Sequence, residues 1–452
     1  MQSDIDPRTV SRTWSGEFKP PEALPESADV VIIGGGIVGV STAWFLARQG
    51  VNVVLCEKGH IAGEQSGRNW GWVRQQGRDE RELPMMMESM RIWRELEAEI
   101  GEDTGFTQAG CLFLAKTEKQ IAEFEAWLPI AKRHGLDTRM ISGRELDDRV
   151  TDASSRWRGA MYTASDGCAE PHKSAPAIAR AAAREGASIL AACAVRGIET
   201  AGGAVSAVVT EHGTIRTSTV LCAAGAWSAL FCRSLGISLP QLRVRGTVVR
   251  TAPGTEVLKG CVFDDKVGIR RRQDGGYNVA HGAILDHSIT PTTFRYCFKF
   301  LPALWQEIRV LRLSIGRDFI EELRTPKRWP LDQATPFEHM RVLDPAPNPR
   351  VVPQIRKNLG EVFPALAEIP FVETWAGMVE TAPDVVPVIS PHEQIRGFHI
   401  ATGFSGHGFG IGPGAGKVVA GMLTGDTRGF DLSPFRLSRF FDGSPIRPQP
   451  SV

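Results

Sequence analysis

The stretch from Asp29 to Lys58, "DVVIIGGGIVGVSTAWFLARQGVNVVLCEK", constrains the fold of this chain more than any other. Residues 30–33 are an apolar, β-branched run, the composition of a strand buried on both faces of a parallel sheet. Gly34, Gly36 and Gly39 then supply GxGxxG. Residues 38–48 read as a helix that Gly50 closes, and a second apolar run, 51–56, ends on Glu57. Strand, glycine turn, helix, strand and terminal acid make one βαβ unit of about 30 residues.

Each part has a physical reason. The first glycine permits the tight turn, the second lets a pyrophosphate approach the backbone, and the third lets the helix pack close to the sheet. Phosphates then sit on the unpaired N–H groups at the positive end of the helix, where Ile37 and Val38 open it. Glu57 lies 23 residues after Gly34, placed to accept hydrogen bonds from an adenosine ribose, with Lys58 beside it. A carboxylate there repels a 2′-phosphate, which disfavours NADP. This stretch alone leaves NAD and FAD both open.

With 452 residues the chain can bury a large core, and its length suggests two domains. A net charge of +1 gives no reason to expect nucleic acid or an acidic surface as partner. No apolar run approaches the roughly 20 residues of a transmembrane helix. The first 29 residues contain neither an apolar signal core nor a twin arginine, so export is not expected, and they read as an extended polar arm. The eight cysteines are scattered without a CxxC, which suggests reduced thiols in a cytosol and gives no basis for a metal site. Cys56 and Cys222 sit inside apolar runs as core residues.

After Glu57 the glycine-rich, polar "GHIAGEQSGRNWGWVRQQGRDER" has no amphipathic period and reads as a long loop. Residues 81–100 and 117–134 read as amphipathic helices flanking a strand in "GCLFLA", and 175–185 as an alanine-rich helix. "TVLCAAGAWS" is a second buried strand entering a glycine turn, and "GFHIATGFSGHGFGIGPGAGKVVAGML" gives a third strand, a glycine-dense loop and a helix. Between them, 242–289 is strand-rich and 294–323 reads as helical. Three separated α/β segments with insertions imply a discontinuous nucleotide domain. A long flavin lying across a whole sheet needs contacts from distant parts of the chain, so the interleaving favours FAD over NAD.

The expected fold class is therefore α/β: a discontinuous Rossmann-like FAD-binding domain with an inserted α+β substrate domain on a mostly antiparallel sheet. The expected boundaries are an arm at 1–27, the FAD domain at 28–83, 160–240 and 372–430, the substrate domain at 84–159 and 241–371, and a tail at 431–452.

Together with the opening unit, "SGRNWGWV", "VLCAAGAWS", "WAGMVETAPDVVPVIS" and "GFSGHGFGIGPGAGK" resemble the D-amino-acid oxidase-like superfamily of FAD amine and amino-acid oxidoreductases over about 29–425. The resemblance implies that Gly34, Gly36 and Gly39 hold the pyrophosphate and Glu57 the ribose. Ser66, Arg68, Asn69, Trp70 and Gly71 match the loop over the phosphates and flavin. Val195 matches an adenine contact, and Ala223, Ala224, Gly225 and Trp227 the second cofactor turn. Gly377, Met378, Gly403, Ser405, Gly406, His407 and Gly408 match the segments around the isoalloxazine ring. The flavin is expected to be non-covalent.

The chemistry implied is oxidation of a C–N bond by hydride transfer to flavin N5, with hydrolysis of the resulting imine. The expected partners are a small amine or amino acid and oxygen or another electron acceptor, and the resemblance admits a homo-oligomer or partner subunit. Alternatives are an FAD dehydrogenase of a C–O substrate and a non-catalytic flavin-binding subunit.

His407, Arg270 and Glu380 are the candidate catalytic residues. Arg270, in "GIRRRQDGGYNVAHG", either meets a substrate carboxylate or ends a solvated basic strand. Several amino-acid-specific members carry an arginine after the tryptophan–glycine motif, where this chain has Val379 and Glu380. Glu380 either attracts a cationic amine or serves a surface or capping role. His407 either stabilises charge on the reduced ring or packs on it. Trp70 and Trp72 form an aromatic wall or simply core. The segment 300–323 docks on a membrane surface or a partner, or packs on its own domain, the last being preferred.

Overall fold

A computed structural model of the chain describes residues 18–153, 157–308, 311–427 and 429–448. Strand Val30–Ile33 is buried throughout, with Val30 and Ile32 in one core cluster and Val31 and Ile33 in another. That two-sided burial explains its continuous β-branched run. It pairs in parallel with Val53–Cys56 on one side and with Val220–Cys222 on the other. The connecting helix, Ile37–Ala47, has almost no polar face, because helices Gly408–Thr424 and Pro171–Arg184 both pack against it.

The complete sheet has six strands, ordered Val388–Pro391, Phe398–Thr402, Val220–Cys222, Val30–Ile33, Val53–Cys56 and Ser188–Leu190. Every pairing is parallel except the first, which is antiparallel. Its strands come from distant stretches of the chain, as the interleaved pattern implies.

Ten other strands form a second sheet. Leu242–Thr251 runs antiparallel to Phe371–Thr381 along its whole length, with Gly246 opposite Gly377. The sheet is mixed: Cys261–Phe263 lies parallel to Cys111–Ala115, and Leu285–Ser288 parallel to Leu311–Ser314. Two expected boundaries move. Gly159–Thr163 pairs with Cys111–Ala115, and Phe371–Thr381 with Leu242–Thr251, so the strands near 160 and 372 belong to this sheet and not to the nucleotide-binding one. Both boundaries fall inside apolar strands, where composition marks no change.

Residues 294–323 are not one helical stretch. Helix Pro291–Glu307 ends before strand Leu311–Ser314, and helix Arg317–Arg324 follows. The strand is the short period-two run "LRLS", which aligns with Leu285–Ser288. The loop after Glu57 contains a short helix, Gln65–Arg68, and a strand, Trp72–Val73, that pairs with Gly167–Cys168. The expected tail is integral: Phe435, Leu437 and Phe440 are buried, and Arg439 holds Asp384 through two 3.0 Å bonds. Most of the expected arm lies outside the described residues, but Phe18 packs on the core. All eight cysteines are free, and Cys56 and Cys222 are buried. Among the described residues no helix is long and apolar enough to cross a membrane.

Candidate active site

At the C-terminal end of Val30–Ile33 the backbone turns through Gly34 at φ 112°, a conformation that excludes L side chains, and a Cβ there would strike the Ala223 carbonyl. Gly39 sits so close beneath that its Cβ would overlap the Gly34 carbonyl oxygen. The third glycine of the motif thus lets the helix approach the strand. Ser66 Oγ accepts the Ile37 N–H at 2.8 Å, while the first-turn N–H groups of Val38 and Gly39 have no acceptor among the described residues. Glu57 closes the cradle, accepting the N–H groups of Gly35 and Gly59 at 2.7 Å each. Burial pushes its carboxyl up, against the pull of Lys58 and those two N–H groups.

From this turn a cavity of about 990 Å³ extends to the second sheet. Most of the expected cofactor residues line it: Gly34, Gly36, Ile37, Val38, Glu57 and Lys58 at the glycine turn, and Ser66, Arg68, Asn69 and Trp70 on the loop. Val195, Ala223, Ala224, Gly225 and Trp227 line its side, and Gly377, Ser405, Gly406, His407 and Gly408 its far end. Four expected contacts do not line it. Gly39 and Gly71 are packing positions, Gly71 lying against Ala169 and Arg270. Met378 faces away from the strand positions Gly377 and Val379, and Gly403 bends the loop at φ 74°. Arg68 reaches the cavity but places its charge on Asp344 at 2.5 Å. Glu64, unremarked in the sequence, is a hub: its carboxylate accepts Lys58 at 2.7 Å, Trp227 Nε1 at 2.9 Å and the Leu343 N–H at 3.0 Å.

Glu380 and His407 line the same cavity. Glu380 is 4% exposed, and its Oε2 has no hydrogen-bond partner. Burial pushes its carboxyl up to about 7, against hydrogen bonds from Gln65 and the Phe404 backbone. His407 Nδ1 lies 3.2 Å from Glu82 Oε2. Burial and the nearby charges of Arg78 and Arg74 keep His407 neutral, and burial pushes Glu82 up to about 8. Both groups are thus driven toward their neutral forms, and a single proton bridges Nδ1 and Oε2.

Sequence reasoning missed Arg74 and Arg78. Both line the cavity, and neither has an ion-pair partner among the described residues. Arg74 lies 4.9 Å above the Phe113 ring and donates to the Gln76 carbonyl. One guanidinium nitrogen of Arg78 has no partner, and burial lowers Arg78 to about 9. The available signal was two arginines four residues apart beside a tryptophan-rich turn. Trp70 and Trp72 meet edge to face at 5.5 Å, and Trp72 extends through Phe113 and Phe263 into an aromatic wall.

Arg270 is neither a cavity residue nor a solvated strand end. It is 1% exposed and forks onto Glu170 at 3.0 and 3.1 Å, with Nε on the Trp70 carbonyl at 2.7 Å. Against its burial, this arginine holds the Glu170 carboxyl down at about 2. The reason for the correction is that its fork is already filled by an internal carboxylate.

A mostly parallel sheet with a glycine turn, an acid at the end of its second strand and a cavity running under a second sheet define a dinucleotide-binding fold. The chain belongs to the FAD dependent oxidoreductase family (DAO), whose model matches residues 29–422, and its cofactor is FAD. The solved L-amino acid deaminase of Proteus myxofaciens, in complex with anthranilate, is 36% identical, with a TM-score of 0.90 over 93% of this chain and 95% of that one. Sarcosine oxidase subunit beta of an Arthrobacter species is 26% identical over 98% of this chain and 96% of its own. Mitochondrial sarcosine dehydrogenase of Mus musculus is 26% identical over 93% of this chain, which spans only 42% of that longer protein. The residues fit FAD, since the free first-turn N–H groups suit a pyrophosphate and the cavity, about 990 Å³, has the volume for an attached ring.

Proposed function

We propose that this chain oxidises the C–N bond of an amino acid, with the substrate carboxylate held by Arg74 and supported by Arg78. The observation that carries this reading is a pair of guanidinium groups without carboxylate partners on the wall of a cavity that is otherwise largely apolar. A buried cation without a counter-ion is costly, and an incoming carboxylate supplies that counter-ion. The aromatic wall of Trp72, Phe113 and Phe263 then suits an apolar side chain. Anthranilate in the Proteus myxofaciens relative is likewise an amine with a carboxylate.

When bound, FAD supplies the acceptor for the hydride that leaves the substrate's α-carbon. Glu380, with a free oxygen and an affinity for protons near neutrality, takes the proton of the substrate ammonium, so the neutral amine reacts. His407 presents a neutral ring toward negative charge that develops in the cavity. The imine product hydrolyses to an oxo acid and ammonia or a freed amine.

The test is an anaerobic visible titration of the flavin-loaded protein with amino acids, N-methylated amino acids, hydroxy acids and simple amines. The flavin band should bleach with an amino acid, release ammonia or amine, and bleach poorly with the decarboxylated analogue. Bleaching by hydroxy acids alone would transfer the reading to C–O chemistry, and a band that nothing bleaches would make the chain a non-catalytic flavoprotein. The rate at which air restores the band distinguishes oxygen from another acceptor.

A further inference from the structure

We infer that the face formed by helices Pro291–Glu307 and Arg317–Arg324 docks on an anionic lipid bilayer. Helices on a soluble surface turn their apolar side inward, and Pro291–Glu307 does so with Tyr296 and Phe300, which pack on Leu242. Its opposite side is apolar as well. Phe294, Phe298, Leu301 and Trp305 follow the four–three spacing of a single stripe, and all are exposed, Phe298 at 83% and Trp305 at 76%. Ile320 and Leu323 of the second helix and Leu313 of the intervening strand add to it. Nine of the twelve large apolar side chains exposed among the described residues lie between 294 and 323. Isolated exposed apolar residues are ordinary, but a concentration of this kind marks an interaction surface.

Charge selects the occupant. The segment 291–328 carries eight arginines and lysines against four acids, while the whole chain balances 52 against 51. Arg295, Arg312, Arg317, Arg324, Lys327 and Arg328 are exposed around the aromatic stripe. Apolar and aromatic side chains ringed by basic ones form the pattern of a helix lying in the interface of an anionic membrane. A second copy of the chain would place this positive ring against itself. The face also borders the cavity: Phe294, Leu301 and Leu313 are exposed and line it, while Cys297, Phe300 and Leu304 line it from the inner side.

The test is flotation of the full-length, flavin-loaded protein with vesicles of phosphatidylcholine alone or mixed with phosphatidylglycerol. The protein should float with the mixed vesicles, float less with the neutral ones, and lose part of its binding in high salt. The double variant Phe298→Glu/Trp305→Glu replaces no cavity-lining residue. It should float at least about tenfold less, with an unchanged flavin spectrum and melting temperature. Three outcomes would overturn the inference: no flotation with the anionic vesicles, equal flotation of the variant, or a dimer in gel filtration that the variant splits. Flotation only after residues 1–17 are removed would also overturn it for the intact chain, assigning the face to its own N-terminal segment.

Discussion

Glu82 and His407 share one buried hydrogen bond, and both are driven toward their neutral forms. The folded chain keeps the Glu82 proton up to about pH 8, whereas an unfolded chain releases it near 4.5, so stability falls as pH rises through that window and levels off above it. Burial is the main cause; Asp79 reinforces it, while Arg78, Arg81 and Arg74 oppose it. Melting curves across that range should show the decline in the parent and not in Glu82→Gln, a difference of at most about 5 kcal/mol at about 1.4 kcal/mol per pH unit.

Arg74→Lys keeps the charge but loses the planar fork, so kcat/KM for an amino acid should fall about 10–100-fold, mostly through KM. Arg270→Leu belongs to a different category. It leaves the buried Glu170 carboxylate with Arg272 at 3.5 Å and the Gln273 N–H at 3.1 Å, so it should cost about 3 kcal/mol in urea unfolding, and Arg270→Leu/Glu170→Leu should regain part of it. Neither arginine's role was legible beforehand. The Glu170 partner lies 100 residues from Arg270, and Arg74 stands in a segment with no periodicity to orient it.

At the scale of elements, legibility followed how local each cause was. The glycine turn, its helix and its acid could be read because every contact that shapes them lies within one βαβ unit. Helix Glu118–Arg133 was equally local, since Thr117 and Gln120 form its capping box. The stretch 294–323 was misread because its apolar residues fit period 3.6 and period two in turn, and only pairing with Leu285–Ser288 decides where the strand lies. Its inner side, Tyr296 and Phe300, does pack on its own domain at Leu242, while its outer stripe stays exposed. Gly39→Ala tests the turn: with no room beneath Gly34, the purified variant should retain at least about tenfold less FAD per chain than the parent.

At the scale of the molecule, one cavity spans two sheets: the mostly parallel one carries the glycine turn and the mixed one lines the rest. The cradle is assembled from widely separated stretches. Val220–Cys222 lies between Val30–Ile33 and Phe398–Thr402, and helix Gly408–Thr424 backs the helix that carries the glycine turn. A chain ending at residue 397 should therefore hold no flavin after gel filtration, although its glycine turn is intact. The same arrangement sets a timetable during synthesis. The glycine motif leaves the ribosome more than 300 residues before the strand and helix that complete its support. Flavin capture therefore waits for those later segments, and the yellow colour of the protein certifies that translation passed them.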